Sequence, residues 1–161
     1  KLQLPIFASH SGCRSIYNHK RNLYDIPIRK IVELGGIIGI PTLTFILDKE
    51  DNTLIAFMEH LRYAINICGE DNVCVGSDGV YKQISFKALK AHQEVMLKNI
   101  KYRDEWRVRF PEHPFMTYNS YKMEIIANEI RRVFSERIVE KICGLNFLNF
   151  LLKNLPSCPS E

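Results

Sequence analysis

Two apolar runs in this chain each end in an ionisable side chain. Pro5-Ile6-Phe7-Ala8-Ser9 leads into His10, and Val73-Cys74-Val75-Gly76-Ser77 leads into Asp78. A run that is apolar throughout, without polar alternation, reads as a buried parallel strand. In (βα) architectures such strands end at a solvent-open rim, and catalytic side chains sit there. His10 and Asp78 would then face a common pocket. A neutral imidazole at that place suits zinc. A carboxylate there can pass a proton.

The elements that must position them alternate. After the first strand, residues 11–24 are polar and basic, as in a functional βα loop. Asp25 is a plausible N-cap, and Pro27 is tolerated in the first turn. Ile28, Ile31, Val32 and Leu34 give a short helical stripe closed by Gly35-Gly36. Ile37 to Ile40 is the second strand. Leu54, Phe57, Met58, Leu61, Ile65 and Cys68 follow helical spacing up to Gly69, and the third strand is Val73 to Ser77. This βαβαβ order requires parallel strands with helical crossovers. Residues 79–117 are charged and lack a strand, which predicts a long excursion with one amphipathic helix. Residues 121–134 and 135–154 predict a helical tail, with Ser135 as N-cap between its two parts and Pro156 and Pro159 beyond it. The expected organisation is one partial domain over 1–161: βαβαβ over 1–78, the excursion over 79–117, and C-terminal helices over 118–155.

With 161 residues, 46% hydrophobic and 25% charged, the composition is that of an ordinary globular chain. It is shorter than the roughly 250 residues of a complete eight-stranded barrel. Lys1 opens the chain in place of Met, so a processed product or fragment is expected. No stretch approaches the roughly 20 apolar residues needed to span a bilayer. The net charge of +4 is spread along the sequence and bears on association more than on fold. Five cysteines without a CxxC pair argue against a disulfide framework or zinc ribbon, and reduced thiols in a cytoplasmic protein are expected.

The motifs resemble those of the membrane (renal) dipeptidase family of zinc peptidases. Pro5 to Ser11, with Ser9-His10-Ser11, followed by Arg21-Asn22-Leu23, is similar to the family's "SHS" strand and "RN" loop. Gly35 to Ile40 resembles its next strand, and His60-Leu61-Arg62-Tyr63 with Gly69 and Val75-Gly76-Ser77-Asp78 resembles its "GSD" stretch. Gly144-Leu145-Asn146-Phe147-Leu148 resembles its closing "GGNFL" helix. The resemblance implies an α/β fold, the C-terminal part of a (βα)8 TIM-type barrel that holds two zinc ions when intact. It implies His10 as a ligand of the second zinc and Arg21 as the grip on a dipeptide's C-terminal carboxylate. Asp78 is implied as the catalytic and substrate-contacting acid. The implied activity is zinc-dependent hydrolysis of dipeptides, with a D-residue admitted at the C-terminal position.

The sequence departs from the family in three places, one of them the 79–117 segment, which diverges from the usual pattern and bears on substrate preference. None of the five histidines is followed by x-Asp, so the first zinc site has no ligands here. Asp78 runs directly into Gly79-Val80-Tyr81, where the family has a second acid. A separately encoded N-terminal half, or a second copy of the chain, is therefore an expected partner. The rival reading is a catalytically inactive barrel remnant or half-barrel interaction protein. His19 and His60 read as structural, and Arg14 and Lys20 as solvated. Tyr102, Trp106 and Phe110 interleave with Lys101, Arg103, Arg107 and Arg109 as in a nucleic-acid patch. Their i, i+4, i+8 spacing instead fits the apolar face of an amphipathic helix, and no nucleic-acid partner is expected.

Overall fold

The computed structural model describes residues 4–50, 53–79, 81–82, 85–100, 105, 108–109 and 120–155. Its frame is β1 (Phe7–Ala8), α1 (Asp25–Glu33), β2 (Ile37–Ile40), α2 (Thr44–Leu47), α3 (Thr53–Cys68) and β3 (Val73–Val75). The strands pair in parallel in the order β1-β2-β3, with Phe7 opposite Ile37, Ile38 opposite Val73 and Ile40 opposite Val75. Then come α4 (Phe86–Asn99), α5 (Lys122–Arg131), α6 (Glu136–Glu140), a π-helical turn over Lys141–Leu145, and α7 (Asn146–Asn154). The positions Tyr102, Trp106, Phe110, Pro156, Cys158 and Pro159 lie outside the described residues.

Side-chain alternation along the strands makes two faces. Ile38, Ile40 and Val73 join Ile28 and Ile31 of α1 and Phe57, Leu61 and Ala64 of α3 in one buried cluster, which Ile126, Ile130, Val139 and Ile142 extend; Ala8 packs against it. Phe7 turns the other way and rests on Phe147 and Phe150 of α7, at ring separations of 4.8 and 5.9 Å. At Phe7, α7 therefore lies on the side of the sheet opposite the cluster that the crossover helices share with α5 and α6.

α1 ends as the glycines require. Gly35, at φ 74°, and Gly36 return their N–H groups to Val32 and Ile31 at 2.8 and 2.9 Å, a closure that satisfies carbonyls the helix end would leave open. Its start differs from expectation. Tyr24 is the N-cap and Asp25 the first helical residue, because the Asp25 carboxylate turns outward to accept bonds from Tyr63 (2.7 Å) and Ser15 (2.9 Å). At that place it still faces the positive end of the helix dipole. Ser135 does stand at the N-cap of α6, but its carbonyl takes the N–H groups of Ile138 and Val139 while its hydroxyl caps nothing. Helix α2 was not expected from the sequence; all four of its residues are buried.

Candidate active site

The strand ends bring the predicted residues together. The His10 Nε2 atom lies 2.6 Å from Nη2 of Arg21 and 3.8 Å from Oδ2 of Asp78. Its Nδ1 lies 2.7 Å from the Ser9 hydroxyl. A guanidinium only donates, so Nε2 must accept and the ring hydrogen sits on Nδ1, pointing at Ser9.

The loop bearing Arg21 is closed at its base by a parallel bridge between Cys13 and Leu23. Asn22, next to Arg21, is buried; its Oδ1 accepts from Gly12 N–H (3.0 Å) and its Nδ2 donates to the carbonyls of Tyr17 (2.9 Å) and Ile46 (2.7 Å). His19 is also buried, its ring stacked on Tyr17 and edge-on to Phe45. His60 accepts the Cys13 N–H at Nδ1 (2.8 Å) and donates from Nε2 to the Leu47 carbonyl (2.9 Å). Burial lowers its pKa, which keeps the ring neutral. Both histidines are thus structural. Arg14 and Lys20 are more engaged than expected: Arg14 lies over the Tyr24 ring and bonds Asn18, and Lys20 pairs with Glu105.

Asp78 adopts φ 44°, a left-handed conformation that Asp tolerates better than most residues. The turn before it is fixed by Thr42, whose hydroxyl (2.6 Å) and N–H (3.3 Å) both reach the Ser77 carbonyl. Two glycines let the His10 segment approach. A Cβ at Gly39 or Gly76 would collide with the Ser9 carbonyl, so β1 swings across the sheet only because both positions lack one. The apolar runs continue to Ser9 and Ser77, beyond the strand ends at Ala8 and Val75, and backbone bonds continue with them: Ser11 N–H to the Gly39 carbonyl (2.9 Å) and Gly76 N–H to the Ile40 carbonyl (2.8 Å).

One residue at this rim carries no sequence signal. Lys122, the first residue of α5, is fully buried, with its ammonium 4.5 Å from the Tyr81 ring centre. Burial pushes its pKa down to about 8, against a partial upward pull from Asp78. A lysine at a helix start reads as solvated when only the sequence is seen. Asn22, by contrast, stands inside the Arg-Asn-Leu motif and was in view.

The donors do not make a complete zinc site. Among the described residues, no three His, Cys, Asp or Glu side chains group to hold a metal ion. One imidazole and one carboxylate fall short of the three or four ligands zinc takes. The thiols do not add to them, since burial pushes Cys13 and Cys74 up to about 12, away from the thiolate a metal needs.

Comparison with known proteins agrees with this picture. The chain is 27% identical over 150 residues to the dipeptidase ataJ of Aspergillus terreus, covering 91% of this chain and 30% of that protein. It is 35% identical over 79 residues to an uncharacterised protein of Klebsiella pneumoniae encoded 5′ of pqqA, covering 46% of this chain and 29% of that one. It therefore spans about 30% of the length of these curated relatives. Among solved structures, the dipeptidase AC, a metallopeptidase, superposes with a TM-score of 0.67 at 20% identity, over 94% of this chain and 38% of its own. A metallopeptidase of Rhodobacter sphaeroides, holding a phosphinate mimic of the dipeptide L-Ala-D-Ala, superposes with a TM-score of 0.65 at 20% identity, over 94% and 36%. At such identities the superpositions speak for the fold, three strands and helices of a (βα)8 barrel. The sequence profile of the membrane dipeptidases (peptidase family M19) matches residues 2–98, the span that holds His10, Arg21 and Asp78. By that match, the chain belongs to the membrane dipeptidase family of metallopeptidases.

Proposed function

We propose that this chain supplies the substrate-gripping and proton-handling part of a zinc-dependent dipeptidase. The observation that carries the reading is the convergence of His10, Arg21 and Asp78 at the C-terminal rim of one parallel sheet. Arg21 would hold the C-terminal carboxylate of a dipeptide through the two-pronged contact a guanidinium favours. Asp78 would pass the proton that the departing amine requires. A substrate carboxylate competes for Arg21 with the His10 lone pair, and the charged acceptor wins. Binding of substrate would therefore release Nε2 of His10 to serve as one metal ligand. Among the described residues no further side chains group with it to complete a metal site.

The barrel also needs completion. Leu4 and Ile6 are exposed just before β1, and among the described residues β1 and β3 each present an edge, which closed barrels do not leave. We infer a second barrel segment, bearing a His-x-Asp pair and a bridging Glu, as the structural partner.

The test is zinc content and hydrolysis of L-Ala-D-Ala by the 161-residue chain, alone and with the polypeptide encoded immediately upstream. The chain alone should give no turnover. The pair should hold about two zinc ions and turn over, with activity lost in His10→Ala and in Asp78→Ala. Arg21→Ala should raise KM roughly 10- to 100-fold, the worth of a hydrogen-bonded charge contact. Turnover by the chain alone, or activity of the pair that is indifferent to these substitutions, would overturn the reading.

A further inference from the structure

Lys122 is costly where it stands. Its side chain has no solvent exposure, although lysines are almost never fully buried without a compensating contact. It also begins α5, so its charge lies at the positive end of the helix dipole, where a cation is unfavourable. A methionine would fill the same volume without either penalty. Its compensation includes the Tyr81 ring 4.5 Å away and an attraction to the Asp78 carboxylate.

These contacts meet on one short turn. Tyr81 donates its hydroxyl to Oγ of Ser77 at 2.9 Å, and the Ser77 carbonyl is gripped by Thr42. Asp78 lies between these two anchored residues in a left-handed conformation, which neighbouring structure must hold in place. Thr42 fixes the turn from β2's side, and Lys122 fixes it from α5 through the ring and the charge.

We propose that Lys122 is a positioning residue for Asp78, seating Tyr81 and drawing on the carboxylate so that Asp78 is presented to His10 and Arg21. It stands in a turn that departs from the family pattern, since Gly79-Val80-Tyr81 follows Asp78 directly. Burial lowers its pKa to about 8, and Asp78 pulls the other way. The kinetic part of the proposal rests on the dipeptidase reading; the geometric part does not.

The experiment is NMR of the full 161-residue chain carrying Lys122→Met, which keeps the stem and removes the charge, or Lys122→Arg, which keeps a cation. In the unsubstituted chain, the Lys122 ε-methylene should show contacts to the Tyr81 ring. The Met variant should keep its melting midpoint within about 4 °C or raise it, since replacing a buried charge by an apolar side chain is often neutral or stabilising. Its Asp78 amide and His10 ring signals should nevertheless move, and the Arg variant should return them toward their original positions. Unmoved Asp78 and His10 signals in the Met variant overturn the proposal, as does an Arg variant that shifts them as far as Met does. Should the Met variant fail to fold, Tyr81→Leu removes the ring seat at the surface, and the same two signals decide. In the zinc-loaded pair, Lys122→Met should lower kcat on the order of 10- to 100-fold while changing KM less than about 3-fold, the signature of misplaced chemistry with intact binding. Absence of turnover in every sample would defeat the dipeptidase reading and leave the NMR result to judge Lys122.

Discussion

His60 joins three elements with two bonds. Its ring takes the N–H of Cys13 in the loop after β1 and gives a hydrogen to the carbonyl of Leu47 in α2, from a seat in α3. His60→Ala should therefore cost roughly 2–5 kcal/mol in chemical denaturation, because two buried backbone groups lose their partners. The sign of its pH effect follows from burial. The folded ring takes up a proton at lower pH than the unfolded ring, whose pKa is near 6.5. Stability is thus complete above that value and falls as pH drops through and below it, and the Ala variant should show a shallower acid limb between pH 6.5 and 5. At this scale, His10, Arg21 and Asp78 were legible because each ends a strand or stands in a motif. His60 was legible as a packing residue from its place inside an apolar helical stripe. Lys122 was not legible, since its value comes from Tyr81 and Asp78, more than 40 residues away in sequence and joined to it only by the fold.

At the scale of elements, the alternation of strand and helix through residue 78 could be read because the apolar runs and the glycine stops agree. The strand lengths could not. Pairing depends on what lies alongside, and the Ser9 carbonyl crosses close over Gly39 and Gly76, an approach between distant segments that no local pattern encodes. The same crossing makes a sharp prediction. Gly76→Ala forces the backbone at Ser9 to give way, an overpacking that should cost about 1–3 kcal/mol. It should also separate His10 from Asp78, read as loss of the ring-proton contacts between residue 10 and residue 78. A variant with full stability and unchanged contacts would refute the close approach. Helix α2 escaped notice for a related reason: its burial comes from the Asn22 and His60 bonds to its carbonyls, which no local pattern announces.

At the scale of the molecule, the decisive fact is that the three strands among the described residues leave two edges. The β1 side is apolar as well as unpaired, with Leu4 and Ile6 exposed, and such an edge recruits another strand. Polypeptide of these 161 residues should associate with rising concentration in sedimentation experiments, and Ile6→Lys should weaken that association. Concentration-independent monomers would show that the edge is blunted. Charge couples the tail to the sheet by a separate route. Glu70 pairs with Arg137 and Lys141, and Asp71 pairs with Lys141, all on the turn that leads into β3.

Asn146 completes that coupling with uncharged bonds: its amide donates to the carbonyls of Glu70 (2.6 Å) and Val73 (2.8 Å). Those two acceptors open the third strand, yet their donor is translated more than 70 residues after them. On the ribosome, the sheet therefore emerges before the side chain that caps its last strand. Until residue 146 has been made, the Glu70 and Val73 carbonyls lack this donor, so the entry to the third strand is completed from the far end of the chain.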